Sequence, residues 1–371
     1  MVARIGLDAR CLNTEFVRGI GEYILPLVAR LNQDRAVDWV FYGHRPDLPF
    51  HRPAGCETSK VVLRDVPGHR FHTWEQVALP TQAALDRVSL LHCTATTLPW
   101  WQPVPTVVTI HDTIPWNTGE SIEPGFYRDR LLPSAFRRCA AIITISHHSK
   151  SDILRLWPEL ESKLHVIHHG INNLFLQQMP APLPTHLRDL GIDKPYLLYL
   201  GGTTPRKRLD WTLDLFQAIG RADIALVVCG VAVADHATYR QKLPGSVRDN
   251  VVFAPFLAGG DMPTLYQNAL AVLYPTLYEG FGRPALDAQA VGTPIVVSDV
   301  SSLRELVGPT SIALDAADDR GWLEACRAVI GRRLAAVEPD QASRVWARQF
   351  SWTASAEAHW RVYRAAAPGI G

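Results

Sequence analysis

The sequence has almost no excess of charge of either sign. Its 37 Lys and Arg residues nearly balance 36 Asp and Glu residues, which leaves a net charge of +1. Because nucleic acid binding calls for a basic surface, this balance predicts no nucleic acid as the main partner. No apolar run approaches the roughly 20 residues that a membrane-spanning helix requires, and residues 1–6 lack the apolar region of a signal peptide. We therefore expect a cytoplasmic protein.

Cysteine is sparse, and its spacing matches no metal or disulfide framework. The six cysteines contain no C-x-x-C pair and are scattered along the chain at Cys11, Cys56, Cys93, Cys139, Cys229 and Cys326. That distribution argues against a zinc ribbon and fits a reducing compartment. Three histidine groups occur, at residues 111, 147–148 and 168–169, but carboxylate or cysteine partners at ligand spacing are lacking. We expect neither a metal nor a cofactor.

The length and the order of predicted elements indicate two domains of the α/β class. A chain of 371 residues is long enough for two hydrophobic cores. Apolar strands alternate with amphipathic helices up to residue 175 and again from residue 190, which predicts two parallel sheets covered on both faces. A proline-rich stretch at residues 179–184 separates the two series. We expect two doubly wound, Rossmann-like domains (1–175 and 190–349) facing each other across a cleft.

The most informative stretch is residues 271–298, which reads as strand, loop, helix and strand. Its loop contains Glu279, followed by Gly280, Phe281 and Gly282, and Pro284 suits the first turn of the helix. In an open parallel sheet such a loop lies on the ligand-binding edge. Glycine backbone and helix N-terminal N–H groups there favour oxygen-rich or anionic groups. An ordinary helix N-terminus beside an acidic residue explains the loop alone equally well.

Three further segments follow predicted strands. Gly19 and Gly21 lie between the first strand and its helix, but the third glycine of a dinucleotide-binding fingerprint is absent, and a plain turn is the alternative. His111 ends an apolar strand, where it serves either as a ligand to a hydroxyl or as a structural histidine. Arg206 and Lys207 open a cationic segment that suits a diphosphate or, in the simpler interpretation, a solvated turn.

Taken together, these segments resemble the retaining glycosyltransferases of family 4, which have the GT-B architecture. The resemblance covers nearly the whole chain and is most specific in YPTLYEGFGRPALDAQAVGTP, which is similar to the family's Glu-x7-Glu motif. Further matching segments are DAR…RGIGEY, WEQVALP, VVTIHD, ITIS, VIHHGIN, PRKR and FSW.

The resemblance implies a role for each candidate residue. Glu279 and the N–H groups of Gly280, Phe281 and Gly282 contact the donor sugar, and Asp287 holds the ribose. Arg206 and Lys207 bind the diphosphate and stabilise it as it leaves. Gly19 and Gly21 lie near the phosphates, and His111 lies near the transferred sugar. The last helix, residues 350–368, packs back on the first domain.

The sequence departs from the family pattern at two positions. Asp287 is one methylene shorter than the usual glutamate, and Gly202 stands where many relatives carry an arginine. The IHD and RGIGEY segments look most like mannosyltransferases, which implies GDP-mannose as donor and a saccharide or lipid-linked oligosaccharide acceptor in surface-polysaccharide synthesis. UDP-sugars, dTDP-rhamnose and GDP-fucose remain alternative donors.

Two other classes of function remain open. An epimerase or phosphorylase of the same architecture is disfavoured by the absence of an evident acid/base carboxylate pair and of a cofactor lysine. An inactive nucleotide-sugar-binding partner protein is the non-enzymatic alternative. Arginines at positions 128, 130, 137 and 138 suggest peripheral membrane contact or, equally, a solvated helix face.

Overall fold

In a computed structural model, the chain forms two compact units. The structure describes residues 3–34, 37–68, 70–120, 123–177, 181–257, 259–335 and 338–370. One unit comprises residues 1–170 and 350–371, and the other comprises residues 171–349. The chain therefore enters the second unit before the proline-rich stretch, and it returns to the first unit at Phe350.

All strand pairs within the two sheets are parallel. Among the described residues, the first unit has a seven-stranded sheet and the second a six-stranded one. The strands are β1 (Ala3–Asp8), β2 (Val37–Gly43), β3 (Lys60–Leu63), β4 (Leu90–Cys93), β5 (Thr106–Ile110), β6 (Ala141–Thr144), β7 (Leu164–Val166), β8 (Tyr196–Leu200), β9 (Ala225–Cys229), β10 (Val251–Phe253), β11 (Ala271–Tyr274), β12 (Ile295–Ser298) and β13 (Ile312–Leu314).

The strand order reverses once in each sheet. The first sheet runs β3-β2-β1-β4-β5-β6-β7, and the second runs β10-β9-β8-β11-β12-β13. Chain direction on the sheet therefore switches between β1 and β4 and again between β8 and β11. Loops leaving the carboxyl ends of those strand pairs diverge to opposite faces, which opens a crevice at each switch point. The predicted pair of doubly wound domains is confirmed.

Helices connect the strands. They are α1 (Ile20–Asp34), α2 (Leu79–Leu85), α3 (Ile114–Asn117), α4 (Leu132–Arg138), α5 (His147–Leu156), α6 (Asn173–Leu176), α7 (Thr185–Arg188), α8 (Leu209–Ile219), α9 (Val233–Lys242), α10 (Gly245–Arg248), α11 (Met262–Asn268), α12 (Arg283–Val291), α13 (Leu303–Leu306), α14 (Asp319–Ala335), α15 (Gln341–Ala347) and α16 (Trp352–Ala366). Within the described ranges, none of these helices combines the length and the apolar character that a membrane span needs.

Two helices begin with wide, π-helical turns that periodicity does not predict. A π-helix over Arg70–Ala78 leads into α2, and another over Tyr127–Leu131 leads into α4. In both cases a proline, Pro80 or Pro133, is the second residue of the α-helix that follows. Proline has no N–H to donate and clashes with the carbonyl four residues earlier, so the preceding turn widens. The first of these helical segments thus runs without a break from Arg70 to Leu85.

The second unit contains two features that the sequence pattern does not reveal. Helix α9 has no buried residue, so it lacks the apolar periodicity that identifies a helix. The chain on either side of the proline-rich stretch forms two short helices, α6 and α7, which contribute the buried side chains of Phe175 and Leu187. Residues 178–180, part of the proline-rich stretch, lie outside the described residues.

Helix α16 is fastened to the first unit by a buried polar network. The Tyr363 hydroxyl lies 2.7 Å from Nδ1 of His92 on β4, and Nε2 of that ring lies 2.8 Å from the Thr109 hydroxyl on β5. His359 Nε2 lies 2.9 Å from the Tyr23 hydroxyl on α1. Burial lowers the pKa of His359 to about 4 and that of His92 well below its usual value, so both rings are neutral near pH 7.

Loss of the Tyr363 hydroxyl is expected to destabilise the protein. Tyr363→Phe removes the partner of His92 Nδ1 inside the core, and an unsatisfied buried polar atom costs about 1–3 kcal/mol. Tyr239→Phe is the matched control, because the half-buried Tyr239 hydroxyl bonds to no described residue; we expect a change within about 0.5 kcal/mol. Urea unfolding measures both, and equal effects would contradict this view of the network.

Candidate functional site

The second unit's switch point carries the predicted cations and carboxylate. Arg206 and Lys207 follow β8, and Glu279 follows β11, the strand that pairs with β8. The main chains of the two loops also touch, since the Leu277 N–H donates to the Arg206 carbonyl at 2.8 Å. Residues more than seventy positions apart are thereby brought into one site.

The Glu279 carboxylate is held by three donors on a single oxygen. Oε1 accepts from the Thr276 hydroxyl at 2.8 Å, from Arg206 Nη1 at 3.3 Å and from the Lys207 ammonium group. Lys207 also donates to the Tyr274 hydroxyl at 3.0 Å, and Arg206 donates to the Tyr278 carbonyl at 3.0 Å. The exposed fraction of the Glu279 side chain is only 10%, so these contacts act in a partly desolvated setting.

The charge of this cluster is positive. Two cations face one carboxylate, which leaves a surplus of one positive charge at the mouth of the crevice. Such a surplus attracts an anion, and a guanidinium with an ammonium group suits the oxygens of a phosphate. The two cations lie in a 3₁₀ turn, Pro205–Lys207, before Arg208, whose φ of 57° separates that turn from α8.

The backbone of the loop that follows Glu279 is fixed by two serines. The Glu279 N–H donates to Ser301 Oγ at 2.9 Å, and Ser302 Oγ lies 2.9 Å from the Glu279 carbonyl and 2.7 Å from the Phe281 carbonyl. Gly282 then turns the chain into α12 with a φ of 101°, a value that favours glycine. The predicted helix start with Pro284 in the first turn is confirmed.

Asp287 lies on α12, one turn after Arg283. Its Oδ2 is 3.7 Å from Arg283 Nε, and the residue is 5% exposed. The structure therefore places Asp287 on the helix that begins at the Glu279 loop. Gly280, Phe281 and Gly282 are buried in the loop between them. Thr276, Ser301 and Ser302 complete the arrangement, although as single polar loop residues they carry no sequence signal that marks them as site residues.

His111 lies in the first unit, at the carboxyl end of β5. Its Nε2 is 2.8 Å from the Thr94 carbonyl, and burial lowers its pKa to about 4, so the ring is neutral near pH 7. Gly19 directly precedes α1, whereas Gly21 is the second residue of that helix and not part of the loop that the sequence predicts, because the first turn of the helix already begins at Ile20. Tyr23, two residues after Gly21, meets the His111 ring edge-on at a centroid distance of 5.3 Å.

Gly19 and Gly21 are glycines for different structural reasons. Gly19 has a φ of 50° and open space where a Cβ would stand. At Gly21 a Cβ would stand 2.6 Å from the Cys11 carbonyl oxygen, so the close approach of two backbone segments requires glycine there.

Of the four arginines that suggest membrane contact or, equally, a solvated helix face, two are paired with carboxylates. Arg128 bonds to Asp129 at 2.6 Å, and Arg137 bonds to Glu159 at 2.5 Å. Arg138 lies over the Trp100 ring at 4.3 Å. The positive surplus of this face is therefore smaller than the sequence indicates.

The fold and the site define a glycosyltransferase of the GT-B class: two Rossmann-like units, with a cation–carboxylate cluster at the switch point of the second. Residues 17–173 match the family model described as Glycosyltransferase Family 4, and residues 194–332 match the model described as Glycosyl transferases group 1. The chain belongs to glycosyltransferase family 4.

Similar proteins agree with this assignment. The O-antigen chain mannosyltransferase RfbU of Salmonella typhimurium is 24% identical over 59% of the chain, and the match spans 59% of that relative's length. The alpha-maltose-1-phosphate synthase of Mycobacterium tuberculosis is 28% identical over 97% of the chain and 99% of its own. The fold resembles that of Anabaena HepE solved with UDP-glucose, with a TM-score of 0.74, 16% identity and coverage of 97% and 99%.

Substitution of Gly282 is expected to distort the loop that carries Glu279. In Gly282→Ala the residue keeps an unfavourable positive φ, and its Cβ would stand 2.3 Å from Leu303 Cδ2. Strain of this kind costs about 1–3 kcal/mol. Gly245→Ala is the control and is expected to be neutral or slightly stabilising, because φ is not positive there and no heavy atom lies within 4 Å of the position that a Cβ would take. Thermal unfolding compares the two variants. A Gly282→Ala variant as stable as the parent protein would contradict the conclusion that this position requires glycine.

Proposed function

We propose that this chain is a retaining glycosyltransferase that moves mannose from GDP-mannose to a saccharide or lipid-linked oligosaccharide in surface-polysaccharide synthesis. The observation that carries the proposal is the cluster of Arg206, Lys207 and Glu279 at the β8–β11 switch point. The cluster places two kinds of group side by side that the reaction needs: cations that bind a diphosphate and a carboxylate that accepts hydrogen bonds from a sugar.

The cations act on the leaving group. Cleavage of a sugar–phosphate bond transfers negative charge to the diphosphate, and preorganised cations stabilise that charge without reorganisation. Lys207 is held by Tyr274 and Glu279, and Arg206 by Tyr278 and Glu279, so both groups are oriented before a donor binds. In this proposal Gly202, in place of an arginine, leaves the diphosphate to Arg206 and Lys207.

Glu279 acts on the sugar as a hydrogen-bond acceptor. The three donors that hold it all contact Oε1, and Oε2 receives none of these three bonds. A carboxylate neutralised by two cations is a weak nucleophile, which disfavours a covalent glycosyl–enzyme intermediate at this residue. We therefore propose retention by attack on the face that the diphosphate leaves, with a diphosphate oxygen taking the proton of the acceptor hydroxyl.

The remaining candidate residues complete the donor site in this proposal. Asp287 binds the ribose hydroxyls, and the N–H groups of Gly280, Phe281 and Gly282 bind sugar hydroxyls. The first unit supplies His111 to the transferred sugar and Gly19 and Gly21 to the phosphates. The Nε2–H of His111 is engaged by the Thr94 carbonyl, so the neutral ring has Nδ1 as its hydrogen-bond acceptor.

GDP-mannose is the leading donor because RfbU is named a mannosyltransferase. The alternative is a UDP-, dTDP- or GDP-fucose donor, and UDP is favoured among these by the ligand in the HepE structure. An inactive nucleotide-sugar-binding partner is the other alternative, with Asp287 as the altered position. In all three versions we propose a cytoplasmic protein that needs neither a metal nor a cofactor; peripheral membrane contact remains a prediction.

Calorimetric titration with GDP, UDP and dTDP in the presence of a chelator tests the donor site. We expect GDP to bind, and Lys207→Ala to weaken its binding about 10- to 150-fold, which corresponds to the loss of one hydrogen bond to a charged group. Lys242→Ala is the control, because the Lys242 ammonium group lies over the Tyr239 ring in the same unit. This variant should bind GDP as tightly as the parent protein does. Absence of binding for all three nucleotides, or unchanged binding in Lys207→Ala, would contradict the proposal.

Hydrolysis of the donor by water tests the catalytic role without a known acceptor. We expect Glu279→Gln to lower the rate of sugar release from GDP-mannose by roughly a hundredfold or more while nucleotide binding persists, because the lost group acts on the sugar. Proton NMR of the released sugar before mutarotation should show the donor's own anomeric configuration. The opposite anomer would disprove retention, and binding without any release would favour the inactive partner.

A further inference from the structure

The orientation of the His111 ring is set by a loop rather than by its own strand. A carbonyl oxygen only accepts hydrogen bonds, so the contact between Nε2 and the Thr94 carbonyl places the proton of the neutral ring on Nε2. Nδ1 is then the acceptor atom, and no described residue bonds to it. Tyr23 and His169 meet the ring edge-on, with centroid distances of 5.3 Å and 5.6 Å.

The loop between β4 and β5 contains a backbone outlier beside this contact. Thr96 has a φ of 66°, which is rare for a β-branched residue and costs free energy. Its N–H donates to the Thr109 carbonyl at 3.0 Å, and its hydroxyl accepts the His111 N–H at 3.3 Å. The strained residue thus ties the loop to the end of β5, directly before the His111 ring.

A fully buried carboxylate anchors the other side of the loop. Glu75 is 0% exposed; its Oε2 accepts from the Thr97 hydroxyl and from Arg10 Nη2, the latter at 2.5 Å, and its Oε1 accepts from the Tyr127 hydroxyl. Arg10 in turn bonds to Asp8 at the end of β1.

The loop is also tied directly to β1. Thr94 Oγ1 donates to the carbonyl of Asp8 at 2.7 Å. Both ends of the strained turn are therefore fixed at the switch point between β1 and β4.

We infer that Thr96 and Thr97, with Glu75 behind them, are positioning residues that fix the orientation and tautomer of His111 for sugar transfer. Glu75 lies in the WEQVALP segment, to which the proposed reaction assigns no other role. The inference rests on the proposed function for the consequence of the positioning, although the positioning itself is a property of the first unit.

The positioning has a consequence for pH dependence. The titratable groups around His111 are Tyr23 on α1, His92 on β4, His169 after β7 and the neighbouring Asp112, whose Oδ1 accepts the Ile114 N–H at 2.9 Å. Burial is the leading cause that lowers the pKa of His111 to about 4. The bond to the Thr94 carbonyl opposes this lowering, but burial is the larger effect, so a loosened loop that admits water to the ring raises the pKa toward 6.5.

The test compares two variants of one residue. Thr97→Val removes the hydroxyl that reaches Glu75, and Thr97→Ser keeps it. We expect Thr97→Val to raise the His111 pKa. NMR titration of the protein with labelled histidine, in the absence of donor, measures this pKa. The pH below which donor hydrolysis is lost should rise by the same amount, because the ring accepts a hydrogen bond at Nδ1 only when it is neutral. The turnover rate should fall roughly tenfold or more with unchanged nucleotide affinity. Thr97→Ser should resemble the parent protein.

A second variant keeps the inference falsifiable if Thr97→Val folds poorly. Thr96→Gly relieves the positive φ but also removes the hydroxyl that accepts the His111 N–H, so the two effects offset each other and the variant should stay folded while turnover falls and the His111 pKa rises. Asp86→Asn is the control: it removes a buried carboxylate of the same unit that bonds to Tyr42 and Lys60, away from His111.

The NMR titration needs no activity, so it separates this inference from the proposed reaction. A His111 pKa that stays near 4 in both Thr97→Val and Thr96→Gly would overturn the positioning role, whatever the donor is. An equal rise in Asp86→Asn would also overturn it, since general loosening would then be the cause.

Discussion

Two cations compete for one carboxylate at the carboxyl edge of the second sheet, and much of that unit is arranged to hold them there. Arg206 and Lys207 lie at the end of one strand and Glu279 at the end of its neighbour, so the contact exists only because β8 and β11 are adjacent. Both strands are buried over most of their length, which fixes their pairing. Ser301 and Ser302 then hold the backbone of the Glu279 loop.

The first unit holds the loops at its switch point together with a different set of groups. Its switch point lies between β1 and β4, and the loops there are joined by buried carboxylates, threonine hydroxyls and a guanidinium group. Buried charges are tolerated because each has several partners. Helix α16 is joined to this unit by two hydrogen bonds that involve neutral histidines, Tyr363 to His92 and His359 to Tyr23, so the last segment of the chain completes the core that the first segment begins.

Periodicity predicted most elements but not their details. The strands and the long helices α1, α8, α14 and α16 have clear apolar faces, and hydrophobic burial decides their formation. Helix α9 escaped prediction because it buries no side chain. The π-helical turns before Pro80 and Pro133 escaped it because they arise from missing proline N–H groups rather than from hydrophobicity.

The sequence by itself determined the class of fold, the family and the candidate residues, because strand–helix alternation and short motifs are local properties of the chain. Only the tertiary structure decided which of those residues meet. It placed Lys207 against Glu279, and it added Thr276 and Ser302, which look like ordinary loop residues in the sequence. It also set the protonation of His111, since the burial and the Thr94 carbonyl that fix it come from segments distant along the chain. Contacts between strand ends depend on the order of the strands in the sheet, and that order depends on interactions between segments far apart in the chain.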